Sequence, residues 1–458
     1  MKVIVCGAGQ VGFSISSYLI RENNDVTVID HNADIIEKLN NEIDVQGICG
    51  HASNPNVLDA AGAREADLIV AVTEQDEVNM VACQIAHSLF NVPKKIARVR
   101  ERAYLNPAWA NLFSRTHMPI DKIISPEVEV AKSIYDCLKT PGTTNLISLA
   151  DNMVFLAGTI CTEKCPVLNT QLKQIPILFP NVPLIVCLIA REGEIIVPTE
   201  DDQVFPDDEV FFFTDKSHLK RALTIFGHEE EEARTITLMG GGNVGKSLIE
   251  LIHKKTNRIN LKVIEKDEER AEFLSTNFPD IVVLHGSGIN REILAEANIR
   301  STETFIAVTE DDENNILASL IAKQAGCSRV ISLTNTSTYT SLTARLGIDA
   351  TVSPKTSTVS TIMQHVRRGR IKTLQAIYDG AAEIIEAEVA ETSHLVNMSV
   401  VDLELPSDVI IGMIVRGDEV LLPTPDTVIQ ALDHIVLMAR AGKAHMIEEM
   451  FTIHVDLF

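Results

Sequence analysis

The chain has 458 residues, of which 45% are hydrophobic and 22% charged, and a formal net charge of −23. That length exceeds one ordinary core, so several units of roughly 100–150 residues are expected, and the acidic balance argues against nucleic acid or anionic lipid as a direct partner. No basic segment precedes an apolar one at the start, and the most apolar run, residues 183–190, is far short of the roughly 20 residues that cross a bilayer. The expectation is a soluble intracellular protein that reaches a membrane only through a partner.

The chain opens with MKVIVCGAGQVG, a short apolar strand breaking into a G-x-G-x-x-G turn at Gly7, Gly9 and Gly12. Helical spacing of Ile15, Tyr18 and Leu19 follows, then a strand, DVTVID, ending on Asp30. Strands at 45–49, 68–72, 95–99 and 120–125 alternate with helices at 33–40, 54–61 and 77–90. Such alternation predicts a parallel sheet covered on both faces. Apolar positions Val128, Ala131, Tyr135 and Leu138 then mark an amphipathic helix that leaves this domain and is free to pack on a neighbour or a second subunit. Residues 145–226 read as a small α+β lobe, and GHEEEEAR, 227–234, as a solvated linker.

The chain then starts again. ITLMGGGNVG repeats the glycine turn at Gly240, Gly242 and Gly245, and NLKVIE repeats the second strand, ending on Glu265. LIVAVTEQDEVNMVACQIA is answered by FIAVTEDDENNILASLIA, and REGEIIVPTEDDQVFPDDEVFFF by RGDEVLLPTPDTVIQALDHIVLM. A register held this long indicates a duplication. The expected fold class is α/β, with tandem Rossmann-like doubly wound parallel sheets, each followed by a crossover helix and a small α+β lobe. The expected boundaries are 1–124, 125–143 and 144–226, the linker 227–234, then 235–353, 354–371 and 372–458.

In a G-x-G-x-x-G turn the first glycine makes the bend, the second admits a pyrophosphate to the backbone, and the third lets helix and strand pack closely. The helix that follows points free N–H groups and its positive end at the phosphates. Asp30 lies 18 residues beyond Gly12, and Glu265 lies 20 beyond Gly245; both suit a ribose contact. They would repel a 2′-phosphate, which argues against NADP, but do not separate NAD(H) from ATP or ADP. Thr73, Glu74, Thr309 and Glu310 follow the fourth strand at the sheet's carboxyl edge, where they either meet ligand or cap the next helix. Arg98 ends the fifth strand and could reach a phosphate. The second copy has Ser332 or Thr334 near that place and no arginine, so weaker phosphate binding or a different ligand is expected there.

Of the eight cysteines only Cys161 and Cys165 are close, without the second pair of a structural metal site, so reduced thiols are expected. The acidic turns 200–202 and 207–209 read as solvated hairpin tips rather than a cation site. A nicotinamide dehydrogenase would need a further domain carrying an acid or base and a substrate clamp. The small lobes have no such motif. Binding without chemistry is therefore the expected role, with an NAD-dependent oxidoreductase as the alternative.

Over essentially its full length the chain resembles the regulator-of-potassium-conductance (RCK) family, through MKVIVCGAGQVG, VTVIDHN, GHAS and LDAAGAREADLIVAVTEQDEVNMVACQIA. The resemblance implies a ring of eight such units, hence a homotetramer, in the cytoplasm and held peripherally at the inner membrane by a potassium-translocating subunit. It implies that NAD(H), or ATP or ADP, binds at the glycine turns and gates that subunit. Carried over by motif, the binding positions are Gly7, Ala8, Gly9, Gln10, Val11, Gly12, Asp30, His51, Thr73, Glu74 and Arg98, then Gly240, Gly241, Gly242, Asn243, Val244, Gly245, Glu265, Ser287, Thr309 and Glu310. No metal site is implied.

Overall fold

The structure, a computed structural model, describes residues 1–21, 24–255, 259–336, 339, 342–343, 346–355, 358–359, 361–362 and 371–451. Of the expected second crossover helix, 354–371, most positions lie outside this set. The chain divides into two compact units, residues 1–126 with 355–368 and residues 127–354 with 369–458.

The first unit is built on strands β1 (Lys2–Cys6), β2 (Asp25–Asp30), β3 (Gln46–Cys49), β4 (Leu68–Ala71), β5 (Lys94–Arg98) and β6 (Lys122–Ile124), in the order β3-β2-β1-β4-β5-β6. All five pairings are parallel. Helices α1 (Gln10–Arg21), α2 (Ala33–Glu42), α3 (Pro55–Ala60) and α4 (Asp76–Phe90) connect them. β4 is buried along its whole length, as a strand covered on both faces must be. Its apolar residues divide between two clusters, Leu68 and Val70 in one and Ile69 and Ala71 in the other. Local chemistry sets the helix ends. Asn32 Oδ1 caps α2 by accepting from Asp34 N at 2.9 Å, and Asn91 closes α4 with a left-handed φ of 56°.

The second unit begins with α5 (Pro126–Lys139) and a five-stranded antiparallel sheet. This sheet comprises β7 (Thr143–Leu149), β8 (Val154–Ile160), β9 (Leu184–Arg191), β10 (Glu194–Ile196) and β11 (Glu209–Asp215), in the order β10-β9-β11-β8-β7, with short helices α6 (Ile175–Leu178) and α7 (Leu219–Ile225). The second parallel sheet follows, with β12 (Thr235–Met239), β13 (Asn260–Glu265), β14 (Val282–His285), β15 (Thr304–Ala307), β16 (Arg329–Leu333) and β17 (Ala350–Val352). Its order, β14-β13-β12-β15-β16-β17, repeats the first sheet. Its helices are α8 (Asn243–Lys255), α9 (Glu268–Asn277), α10 (Arg291–Glu296) and α11 (Asp312–Gln324). The last sheet holds β18 (Ile371–Ile377), β19 (Ala382–Glu388), β20 (Val409–Arg416), β21 (Glu419–Leu421) and β22 (His434–Arg440), before α12 (Ala444–Phe451). The two small sheets share one core, in which Leu188, Phe211 and Phe213 meet Ile384, Met413 and Met438. Gly412 sits where a Cβ would lie 2.2 Å from Phe213, so close contact of the two lobes depends on its missing side chain.

The amphipathic helix α5 finds its partner within the same chain. Val130, Ala131, Ile134 and Leu138 pack on Ile236, Leu238 and Leu248 of the second repeat. Reciprocally, Val359 and Ile362 join the core of the first sheet beside Val3 and Val5. Each parallel sheet is thus covered by a segment that follows the other repeat's sheet. Other expectations need correction. The first small lobe begins at Thr143 rather than 144, because TTNLISL, directly after the Pro141–Gly142 stop, already forms β7. The turn 207–209 is no solvated tip: Asp208 is buried and ion-paired to Arg191 in two bonds of 2.9 and 2.8 Å. The linker is tied down by Lys139–Glu232 at 2.8 Å and by His228 Nε2 on the carbonyl oxygen of Ile160 at 2.7 Å.

Glu303 joins the linker's end to the second sheet by accepting from the amides of Arg234 and Thr235. These bonds hold its carboxyl below the usual value of 4.5. A carboxylate with a depressed folded pKa stabilises the fold above its unfolded pKa and loses that contribution as pH falls through the folded value. The second unit should therefore weaken on acidification below about pH 4.5. In urea titrations, Glu303→Ala should lower the unfolding midpoint at pH 7 and converge with wild type near pH 3; an equal loss at both pH values would refute this role.

Candidate functional site

At the first glycine turn Gly7 has φ +105°, a conformation L side chains avoid. A Cβ on Gly12 would stand 1.8 Å from the carbonyl oxygen of Gly7. The fold itself demands both glycines. Gly9 differs: it is exposed, and a Cβ there would meet nothing within 4 Å. Ala8 is buried, Gln10 exposed, and Val11 packs at the margin of the first core. The tip of β2 reaches the turn, where Asp30 Oδ2 accepts from Ala8 N at 2.7 Å and Oδ1 from Asn32 N at 2.9 Å. His31 lies beside this carboxylate at 3.3 Å and stacks on His51, ring centroids 5.4 Å apart.

The second turn repeats this plan with different side chains. Gly240 has φ +103°, and a Cβ on Gly245 would lie 2.0 Å from Gly240 O. Glu265 Oε2 accepts from Gly241 N at 2.6 Å and Oε1 from Asp267 N at 2.9 Å. Glu265 is buried; its longer side chain reaches the turn beneath Leu274, which a Cβ on Gly241 would strike at 2.3 Å. At Gly242 a Cβ would meet only Arg270 Nη1, at 3.6 Å. Asn243 is exposed and Val244 half-buried at the start of α8. Ser287 follows β14, and its carbonyl accepts from Asn290 N at 3.0 Å.

Thr73 and Thr309 do not cap helices. Gln75 and Asp311 occupy the cap positions of α4 and α11. Thr73 Oγ1 instead bonds Asn79 Oδ1 at 2.7 Å, and Thr309 Oγ1 bonds Asn315 Oδ1 at 2.7 Å. Glu74 and Glu310 are exposed in the same short turns. Asn79 Nδ2 donates to the carbonyls of Thr73 at 3.1 Å and Arg98 at 3.0 Å, so this fully buried amide ties the ends of β4 and β5 together. Asn315 does the same for Thr309 and Leu333. The counterpart of Arg98 is therefore Leu333, not Ser332 or Thr334. Asp76 accepts from Arg100 N at 2.8 Å and Glu101 N at 2.7 Å, and Asp312 accepts from Asn335 and Thr336 N, both at 3.0 Å. The signal for these four residues is D-x-x-N recurring at the same offset in both copies.

Asn79→Leu should cost the first unit about 3 kcal/mol, because it removes the partner of Thr73 N and of the Thr73 and Arg98 carbonyls at the carboxyl edge. Urea unfolding of the full chain checks this; a change below about 0.5 kcal/mol would contradict it.

A cavity of about 590 Å³ lies away from the glycine turns, at the amino edge of the second sheet. Arg329 in its wall donates to the carbonyls of Cys137 and Thr143, both at 2.8 Å, which makes it a clamp on α5 rather than a ligand group. Among the described residues no cluster of His, Cys, Asp or Glu is arranged to hold a metal ion, and no helix is long and apolar enough to cross a membrane.

The chain thus pairs two Rossmann-like domains with glycine turns, each joined to a small antiparallel lobe. The TrkA-N domain family matches residues 3–126 and 236–354, and the TrkA-C domain family matches 384–452. Trk system potassium uptake protein TrkA of Azorhizobium caulinodans is 44% identical over 458 residues, 100% of each chain. The Vibrio alginolyticus protein of the same name is 38% identical over 440 residues, 95% of each chain. The solved structure of the GsuK channel bound to NAD aligns with TM-score 0.60 at 16% identity, over 98% of this chain and 78% of that one. The chain belongs to the TrkA family of potassium-uptake proteins.

Proposed function

We propose that the chain is a non-catalytic regulatory subunit of a potassium-uptake system, binding NAD(H) or an adenine nucleotide at its glycine turns and thereby gating a TrkH-like membrane subunit. The observation that carries this reading is the contrast among the glycines. Gly7 and Gly12, like Gly240 and Gly245, are required by the fold, whereas Gly9 and Gly242 are not crowded by protein backbone. A glycine kept where a side chain would fit leaves room for a ligand against the backbone.

The residues present fit such a ligand. The amides at the start of α1 would take the pyrophosphate. Asp30 already accepts two amides, yet a carboxylate has about four lone-pair sites, so ribose hydroxyls can still reach it. The bound nucleotide supplies no chemistry in this reading. It acts only by preferring one arrangement of the assembly, here a homotetramer forming a ring of eight units, over another. Attachment to the inner membrane would run through the membrane subunit alone.

The test is potassium uptake in cells lacking their own regulatory subunit. Gly9→Asp combined with Gly242→Asp should abolish stimulation of uptake while the protein still co-purifies with the membrane subunit. Undiminished uptake would sink the proposal.

A further inference from the structure

The second glycine turn carries cations that the first lacks. Arg270 on α9 stands at the repeat position of Ile35, and Lys246 on α8 at that of Phe13. Arg270 Nη1 lies 3.6 Å from where a Cβ on Gly242 would be, and 3.9 Å from Glu265 Oε2. One guanidinium thus spans from the open glycine to the acid at the ribose position. Lys246 Nζ rests 4.8 Å over the ring of Phe273, one turn along α9 from Arg270. At the first turn the space over Gly9 holds no such group.

Glu265 is also less of an obstacle to anions than its charge suggests. Both its oxygens accept backbone amides, and Arg270 faces it. The second turn lacks a counterpart of Arg98, but Arg270 on α9 supplies a cation from the other side.

We propose that the second glycine turn selects adenine nucleotides carrying a terminal, singly bridged phosphate over NAD(H), with Arg270 as the specificity-determining residue. This rests on the nucleotide reading of the turns given above. Each phosphate of NAD(H) is bridged on both sides and carries a single charge. A terminal phosphate carries about −1.5 to −2 near pH 7 and offers three acceptor oxygens, the geometry a guanidinium fork matches. Such a group ends the phosphate chain in ADP and ATP and sits on the ribose in NADPH.

Calorimetric titration of the full-length Gly9→Asp variant, which closes the first turn where a side chain has room, isolates the second. ATP, ADP, NADPH and NADH are titrated separately. At least one nucleotide with a terminal phosphate should bind about tenfold or more tightly than NADH, a difference of about 1.4 kcal/mol. Adding Arg270→Gln should bring that preference within about threefold, chiefly by weakening the preferred ligand. Preference for ATP and ADP places the recognised phosphate on the chain, and preference for NADPH places it on the ribose. The converse variant, Gly242→Asp alone, should lose the site for terminal phosphates and keep NADH binding, which guards against misfolding of Gly9→Asp. NADH binding as tightly as the others, or an equal loss for all ligands with Arg270→Gln, overturns the selectivity and leaves the nucleotide reading standing. No binding to either variant or to wild type overturns both.

Discussion

Gly12→Ala should unfold the first parallel domain under mild denaturant, while Gly9→Ala should leave its stability unchanged. The new methyl at residue 12 would lie 1.8 Å from Gly7 O and 2.8 Å from Gly7 C. Both are backbone atoms of a turn already held by Gly7 N donating to Ile29 O at 2.7 Å, so the neighbour cannot rotate away. Overpacking of this kind costs about 3 kcal/mol, a large share of a domain's net stability. At Gly9 the methyl meets nothing within 4 Å. The only tryptophan in the chain, Trp109, follows β5 in the first unit, so its fluorescence reports this domain during a urea titration. Equal midpoints for the two variants would contradict the division of labour among the glycines.

The second large effect is expected in the small lobes. Arg416 bonds Asp433 twice, at 2.9 and 2.8 Å, and the carboxylate also accepts from Gln430 N at 2.8 Å. Arg191 and Asp208 repeat the arrangement, with Phe205 N donating at 2.8 Å. Both aspartates are buried. Arg416→Met leaves Asp433 charged and enclosed, which should cost about 3–5 kcal/mol. Pairing it with Asp433→Leu removes the stranded charge and should recover most of that loss. Thermal unfolding of the two variants decides the matter. If the double variant is no better than Arg416→Met, the pair is more than a compensated buried charge.

Much of this architecture can be read from residues in order. The glycine spacings, the acids ending β2 and β13 and the repeated phrase around Thr73 and Thr309 all lie within local windows. What was not legible depends on partners distant in sequence. The stripe on α5 declares that some apolar surface covers it, but nothing in the stripe specifies the sheet of the other repeat. The partnership of Asp208 with Arg191 forms only when β9 and β11 pair, so an acidic turn looked solvated. Arg270 is 28 residues beyond Gly242, and only the packing of α9 over the turn brings the two together. Asn79 and Asp76 were legible in principle, since their spacing recurs in Asn315 and Asp312. Ordinary polar residues in a helix's first turn draw no notice until the carbonyls and amides they satisfy are seen.

The claim that the two turns are nucleotide sites is tested most directly by calorimetric titration of NADH, NAD, ATP and ADP into the wild-type chain and its Asp30→Ala and Glu265→Ala variants. Two classes of site should appear in wild type. Asp30→Ala should remove or weaken one class by about tenfold or more and leave the other, and Glu265→Ala should do the reverse. No saturable binding to wild type, or affinities untouched by either substitution, would contradict the assignment.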